Sequence, residues 1–491
     1  MAQKKQSLVL ITVDCLRADH CGFYGHARPT TPFLDSLASQ SIVVPNAMIG
    51  GAPTYYSLPA IFASRMPLAL GRDVVGLAPG EDTLATALHR AGYATAAFTA
   101  ANPYISQRFG YNQGFEVFCD FHDFQSSPEP LPAAARSSTN GRFRGTLNRW
   151  LRESAQASGL GKLYDELYFQ YRVRVAASPG QNIDAMRKFP SADTVVKCAE
   201  SWLATLDARP FFLWIHLMDP HAPYYPSAPA FEKLTGKGLS PARVRYLNEF
   251  WNRSDLATAD FQRHKEDVID LYDAGIRTVD DQIARLVETL KRSNRWPDCL
   301  FALTADHGEA FLEHGRRYHS PTGLEDEITR VPLLIRVPGK SMADRLPRFF
   351  SHLHLAPTLL EILHVAAPTS FEGENTWTYP HSDDADTAVA ECVYACANPF
   401  SAEARLSARL LSVRDARYKL VIRLEPGAVE AIYDLQADPA EKRPLSEREA
   451  PEIRRRLLRI AADHISKTGK GRATDLRLRA RLRDIRLKLD T

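Results

Sequence analysis

The stretch LVLITVDCLRAD, residues 8–19, decides the fold. Its first six residues, Leu8 to Val13, run without a charged break and stop at an aspartate. A run so short and rich in β-branched side chains is a strand, and its continuous hydrophobicity places both faces in a core. The pattern returns at Ala94–Thr99, Pro210–Leu217 and Cys299–Thr304. Between these runs, helical periodicity covers Pro32–Ser41, Asp82–Ala91, Thr194–Leu206 and Val268–Leu290. Such alternation predicts an α/β fold, a mostly parallel central sheet flanked by helices. In sheets of this kind ligands gather beyond the carboxyl ends of the strands.

The 491 residues are 45% hydrophobic and 24% charged, which is ample for a large core. A formal net charge of +3 excludes a field that would draw nucleic acid to the whole surface. The run Leu8–Val13 is shorter than a signal-peptide core and has no small-residue cleavage site after it, and no window approaches eighteen apolar residues. The reading is therefore a chain with no signal peptide and no transmembrane segment. Its seven cysteines are odd in number and form no C-x-x-C pair, which predicts a reduced, cytoplasmic protein.

Two regions depart from the alternation. Residues from about 120 to 190 are rich in Ser, Pro, Arg and aromatics and read as an insertion, with Leu147–Val175 a helical excursion. From Lys467 onward the chain is basic, and Leu478, Leu482, Ile485 and Leu489 fall on one helical stripe. Such a tail is solvated, packs on its own chain, or contacts a membrane surface, nucleic acid or another subunit.

Asp14 follows the first strand directly, and Asp306 and His307 follow another in FALTADHGEAFLEHG, residues 301–315. Carboxylates and imidazoles at the ends of buried strands need water, a partner or a cation, so a metal is a natural occupant. An Asp in that place also serves as a helix cap. In GGAPTYYSLPAIF, residues 50–62, hydroxyls gather where a helix is expected to begin. Each is either a nucleophile or a cap; Ser57, just before Leu58-Pro59, suits an N-cap.

The segments LVLITVDCLRADHCGFYG, TTPFLDSLASQS, DTLATALHRAGYATAAF, FFLWIHLMDPHAPY, LTADHGEAFLEHG, ITRVPLLIRVPG and IYDLQADPAEKRPL resemble, in order from about residue 8 to 445, the motifs of the sulfatase family within the alkaline-phosphatase superfamily. The resemblance implies a metal-dependent enzyme acting on sulfate or phosphate esters. It places Asp14, Asp306 and His307 at metal-ligand positions. Laying TYYSLPAIFASRMP on the family's C-x-P-S-R stretch puts Thr54 at the nucleophile position, where it is also a metal ligand. His221 in MDPHAPY and His319 in RRYHSPTG match positions that contact substrate, with a purely structural role as the other reading of each. His216, Asp219, Glu313 and His314 stand in a second rank.

The chain also departs from the family pattern. The nucleophile position holds Thr54 and not cysteine or serine, Leu58 stands where an arginine is usual, Asp14-Cys15 replaces a double aspartate, and His319 replaces a lysine. Threonine cannot yield formylglycine, so the site is most similar to threonine-dependent phosphotransferase and phosphodiesterase members. The expected function is a hydrolase or transferase of phosphate or sulfate esters acting through metal-bound Thr54. The alternative is a sulfatase-like binding or regulatory protein with reduced catalysis. Two carboxylates, an imidazole and a hydroxyl favour Mn2+, with Ca2+, Mg2+ and Zn2+ as other occupants. The resemblance further implies a catalytic domain at 1–375 with the insertion inside it, and a smaller C-terminal α+β subdomain at 376–450. The basic helical tail, 451–491, follows.

Overall fold

A computed structural model describes residues 5–122, 183–339, 349–377, 387–425 and 427–467, with a few positions between 161 and 170. Most of the expected insertion and the stripe Leu478, Leu482, Ile485 and Leu489 lie outside the described residues.

The continuous apolar runs become the middle of a seven-stranded sheet. Its strands are β1 (Ser7–Val13), β2 (Ile42–Val43), β3 (Ala94–Thr99), β4 (Val117–Cys119), β5 (Phe211–Leu217), β6 (Cys299–Ala305) and β7 (Leu333–Arg336). They lie in the order β2-β7-β6-β1-β5-β3-β4. Strands β6, β1, β5, β3 and β4 run parallel, and β7 runs antiparallel to both its neighbours, β6 and β2. Leu8, Val9, Leu10 and Ile11 are fully buried. Each such side chain contributes on the order of 1.5–3 kcal/mol of hydrophobic stabilisation.

The register of the sheet positions the chemistry. Val13 pairs with Leu217 on one side and with Ala305 on the other. Asp14 and Asp306 therefore leave adjacent strands at the same level. His216, within β5, pairs with Thr12 and with Thr99.

Helix α1 (Thr54–Ala63) is buried along its whole length and brings its first residue to this end of the sheet. The 28-residue helix α2 (Lys265–Arg292) joins the same core through an apolar stripe that includes Val268, Leu271, Val279, Ile283, Leu286 and Leu290. No helix among the described residues is long and apolar enough to cross a membrane.

A second, antiparallel sheet forms near the C-terminus, in the order β8 (Ala388–Val393), β9 (Arg409–Arg414), β10 (Tyr418–Arg423) and β11 (Ala428–Asp434). Strands β10 and β11 flank the turn that the Pro-Gly pair at 426–427 suggests. Helix α3 (Pro451–Lys467) buries Leu457 and Ala461 against Leu411, Val413, Leu420 and Ile432. The first part of the expected tail thus belongs to the core of this smaller unit.

Candidate active site

Asp14 and Asp306 are both fully buried. The Asp14 carboxylate has a prepared seat: Asn102 Nδ2 donates to Oδ2 at 2.8 Å, and His216 Nε2 lies 3.3 Å from the same oxygen. A relay fixes that histidine. Trp214 Nε1 donates to Thr12 Oγ1 at 2.9 Å, and Thr12 Oγ1 lies 2.8 Å from His216 Nδ1. A carboxylate accepts only, so the His216 proton sits on Nε2 and Nδ1 takes the Thr12 hydroxyl hydrogen. Burial pushes the Asp14 carboxyl upward, but the neighbouring imidazoles of His221 and His307 and the His216 bond outweigh it and hold the group well below the usual range.

Asp306 lacks such support. Its Oδ1 accepts from the backbone N–H of Cys15 at 3.3 Å and of His307 at 2.9 Å, while Oδ2 is buried without a hydrogen bond. Burial and the neighbouring Asp14 charge raise its pKa. A buried oxygen without a donor, next to a second buried carboxylate, is an arrangement that a cation satisfies.

His307 supplies a matching nitrogen. Its Nδ1 lies 2.9 Å from the Gly308 carbonyl and must donate to it, which leaves the Nε2 lone pair free. Nε2 lies 3.2 Å from Thr54 Oγ1, 3.4 Å from Asp306 Oδ2 and 3.6 Å from Asp14 Oδ1. Two carboxylates and a hydroxyl thus lie within 3.6 Å of this one imidazole nitrogen, and these are the four residues assigned to the metal. Gly308 is required beside them, because a Cβ there would come within 1.9 Å of the Glu327 carbonyl oxygen.

Ser57 is not the N-cap that its sequence position suggests. Helix α1 begins at Thr54, Pro53 holds the cap position, and the Ser57 hydroxyl donates to the Asp306 carbonyl from within the first turns. That bond ties the helix to the loop carrying Asp306 and His307. Thr54 instead stands at the open end, where the helix dipole favours an anion.

A cavity of about 260 Å³ opens onto Thr54. Asn102, His221 and His319 line it, together with Tyr55, Tyr104 and Met218. The two histidines differ in charge. Burial would lower His319, but Glu309, whose Oε2 lies 2.8 Å from Nδ1, together with Asp14 and Asp306, pushes its pKa up to about 9. Tyr224 holds Glu309 by donating to Oε1 at 2.9 Å. His221 moves the other way: burial and the nearby His319 and His307 lower it against the pull of Asp14 and Glu309. Its Nδ1 donates to the Ala222 carbonyl, which leaves Nε2 as an acceptor. One cavity thus holds a positive imidazole and a neutral one, their ring centroids 5.0 Å apart.

Asp14, Thr54, His221, Asp306, His307 and His319 come together, with His216 directly behind them. Asp219, Glu313 and His314 do not join them: Asp219 binds Arg187 and the Ala192 N–H, Glu313 pairs with Arg17, and His314 with Glu327. Sequence reasoning missed Asn102, Tyr224 and Glu309. Asn102 follows the end of β3, so the rule that singled out Asp14 and Asp306 also reaches it, and Glu309 sits in the same DHGE run as His307.

Residues 6–365 match the family model described as Sulfatase, and residues 315–463 match one described as N-sulphoglucosamine sulphohydrolase, C-terminal. An arylsulfatase of Clostridium perfringens is 24% identical over 403 residues, covering 75% of this chain and 77% of that one. An N-acetylgalactosamine-6-O-sulfatase of Bacteroides thetaiotaomicron is 22% identical over 499 residues, 92% of each chain. Among solved structures, the phosphonate monoester hydrolase of Agrobacterium radiobacter superposes with a TM-score of 0.62 at 20% identity, covering 94% of this chain and 95% of that one. With the match spanning most of the chain, and with buried carboxylates and an imidazole meeting at the ends of its central strands, this protein belongs to the sulfatase family and is an ester hydrolase of that family.

Proposed function

We propose that the protein cleaves sulfuric or phosphoric esters through Thr54 itself, with no formylglycine. The observation that carries this reading is the position of the Thr54 hydroxyl, 3.2 Å from the free nitrogen of His307, next to the buried carboxylates and open to the cavity. Family members bind a divalent metal. Here Asp14, Asp306, His307 and Thr54 are the residues that would hold it, and Mn2+ suits their mixed oxygen and nitrogen donors. Such an ion supplies Lewis acidity, which lowers the pKa of a hydroxyl and neutralises charge on the ester oxygens.

The chain's own groups account for the protons. Thr54 Oγ1 attacks the central phosphorus or sulfur, and its hydrogen passes to His221 Nε2, the neutral acceptor in the cavity. The bond to the leaving oxygen breaks, and that oxygen takes a proton from the His319 imidazolium. Water then attacks the ester formed on Thr54 and gives a proton to the neutral His319, while the Thr54 oxygen leaves with the proton held on His221, so that the hydroxyl and both imidazoles return to their starting states. Two titratable groups whose surroundings drive their pKa values apart suit this division into base and acid. Asn102 and the start of α1 are placed to stabilise anionic oxygens.

Similarity to both an arylsulfatase and a phosphonate monoester hydrolase supports either sulfur or phosphorus at the reacting centre. Seven free cysteines fit a reducing compartment, and a cytoplasmic location belongs to this reading. The test is a panel of sulfate monoesters, phosphate monoesters and diesters, and phosphonate monoesters, assayed with each of the four divalent metals. Wild-type protein turns over at least one class, and Thr54→Ala turns over none while keeping its fold. Leu58, buried where the family carries an arginine, favours a second reading as a binding or regulatory protein. That reading holds if no ester is cleaved.

A further inference from the structure

Thr54 is gripped on both sides by one segment of the smaller C-terminal unit. Three residues before it, the Gly51 backbone runs so close to β8 that a Cβ would come within 2.2 Å of the Glu391 carbonyl oxygen, and the Glu391 N–H donates to the Gly50 carbonyl at 2.9 Å. Only glycine fits that approach. One residue after Thr54, the Tyr55 hydroxyl donates to the carbonyl of Cys396, three residues beyond the end of β8. Glu391 and Cys396 thus close on the chain immediately before and after the proposed nucleophile.

The same segment reaches the proposed acid. The Ala395 N–H donates to the Pro321 carbonyl at 2.8 Å, two residues after His319, and Ala397 lines the cavity together with Thr54 and His319. Ala395 holds a left-handed backbone with φ of 56°, a conformation that persists where the surroundings over-determine it. Behind the segment stands an anchor. The Glu391 side chain is buried, its Oε1 accepts from the Leu68 N–H at 2.9 Å, and its Oε2 lies 3.1 Å from His464 Nε2 on helix α3. One carboxylate therefore joins the chain just after α1 to the C-terminal helix.

We propose that residues 391–397 are a brace that sets the Thr54 hydroxyl relative to His319, with Glu391 and Tyr55 as its positioning residues. The smaller unit then shares in catalysis through the placing of Thr54, where a misplacement of about 1 Å costs on the order of 100-fold in rate. The inference rests on Thr54 being the nucleophile, and the experiment separates the two.

Full-length wild type, Tyr55→Phe, Gly51→Ala, Glu391→Ala and Glu391→Gln are assayed on nitrophenyl sulfate and a nitrophenyl phosphonate monoester, with each of the four divalent metals. Tyr55→Phe is expected to lose about tenfold in kcat, and Gly51→Ala about 100-fold, with KM close to wild type in both. Glu391→Gln keeps an acceptor for the Leu68 N–H and should retain most of the rate that Glu391→Ala loses. Amide hydrogen exchange, read by mass spectrometry on peptides spanning residues 50–58, needs no turnover. It is expected to quicken about tenfold in Tyr55→Phe, while peptides of the central strands keep their wild-type rates. If Gly51→Ala does not fold, Tyr55→Phe decides alone. A merely structural role lowers thermal stability and leaves kcat per folded molecule unchanged; that result, a change confined to KM, or unchanged exchange overturns the brace. If wild type cleaves no ester but exchange quickens as expected, the nucleophile reading falls and the brace stands.

Discussion

Thr54 Oγ1 and His307 Nε2 lie 3.2 Å apart, although 253 residues separate them in the chain. One stands at the first residue of a buried helix, and the other just beyond the end of the strand Cys299–Ala305. The Ser57 hydroxyl, one helical turn further on, bonds the carbonyl of Asp306 and locks helix and strand end together. The position of the proposed nucleophile is therefore fixed by the core and does not depend on a surface loop.

Asn102 holds one oxygen of Asp14 and touches the cavity as well. Asn102→Ala removes a charge-assisted bond and leaves the carboxylate freer to turn. Metal affinity is expected to fall about 10–100-fold, the usual effect of losing a partner that orients a ligand. Titration of the metal-free variant checks this. An affinity equal to wild type would place the burden of orientation on His216 alone.

The pH dependence follows from His319. Its pKa is raised to about 9, so the cationic form persists through neutral pH and is lost as pH rises through that value. If the imidazolium assists the leaving oxygen, kcat/KM falls on the alkaline side as His319 loses its proton. His319→Gln should lower the neutral-pH rate and abolish that limb. A wild-type profile flat from pH 7 to 10 contradicts the role.

Arg65 and Glu81 form a fully buried ion pair, with Nε to Oε1 at 2.5 Å, and Arg65 also donates to the carbonyls of Met66, Pro67 and Gly76. Removing one partner strands a buried charge. Arg65→Met should destabilise the protein by about 3–5 kcal/mol, and adding Glu81→Met should recover much of that loss. Denaturant titration of the two variants tests the pairing. Equal stability of Arg65→Met and wild type would contradict it.

Much of this was legible in the chain because the decisive contacts follow from strand order. Asp14 and Asp306 each come one residue after a continuous apolar run, and adjacent parallel strands place them level. Thr54 was visible only through resemblance, since hydroxyls at a helix start are ordinary caps. Ser57 was misread for a physical reason: Pro59 suggested the first turn of a helix that in fact starts earlier, behind Pro53. Glu309 and Tyr224 escaped notice because their value lies in a contact between residues 85 apart, which no local pattern records. The split between His221 and His319 was equally hidden. It depends on which buried charge each ring faces.

In the proposed reaction Thr54 carries the transferred group between the two halves of the cycle. The most direct measurement mixes enzyme, metal and a cleaved ester, quenches in acid within the first turnover, and determines by peptide mass spectrometry where a phosphoryl or sulfuryl group resides. The added mass is expected on the peptide containing Thr54, mapped to that side chain, retained at lower amount on serine in Thr54→Ser and absent from Thr54→Ala. Modification of another residue, or full turnover by Thr54→Ala, would contradict it.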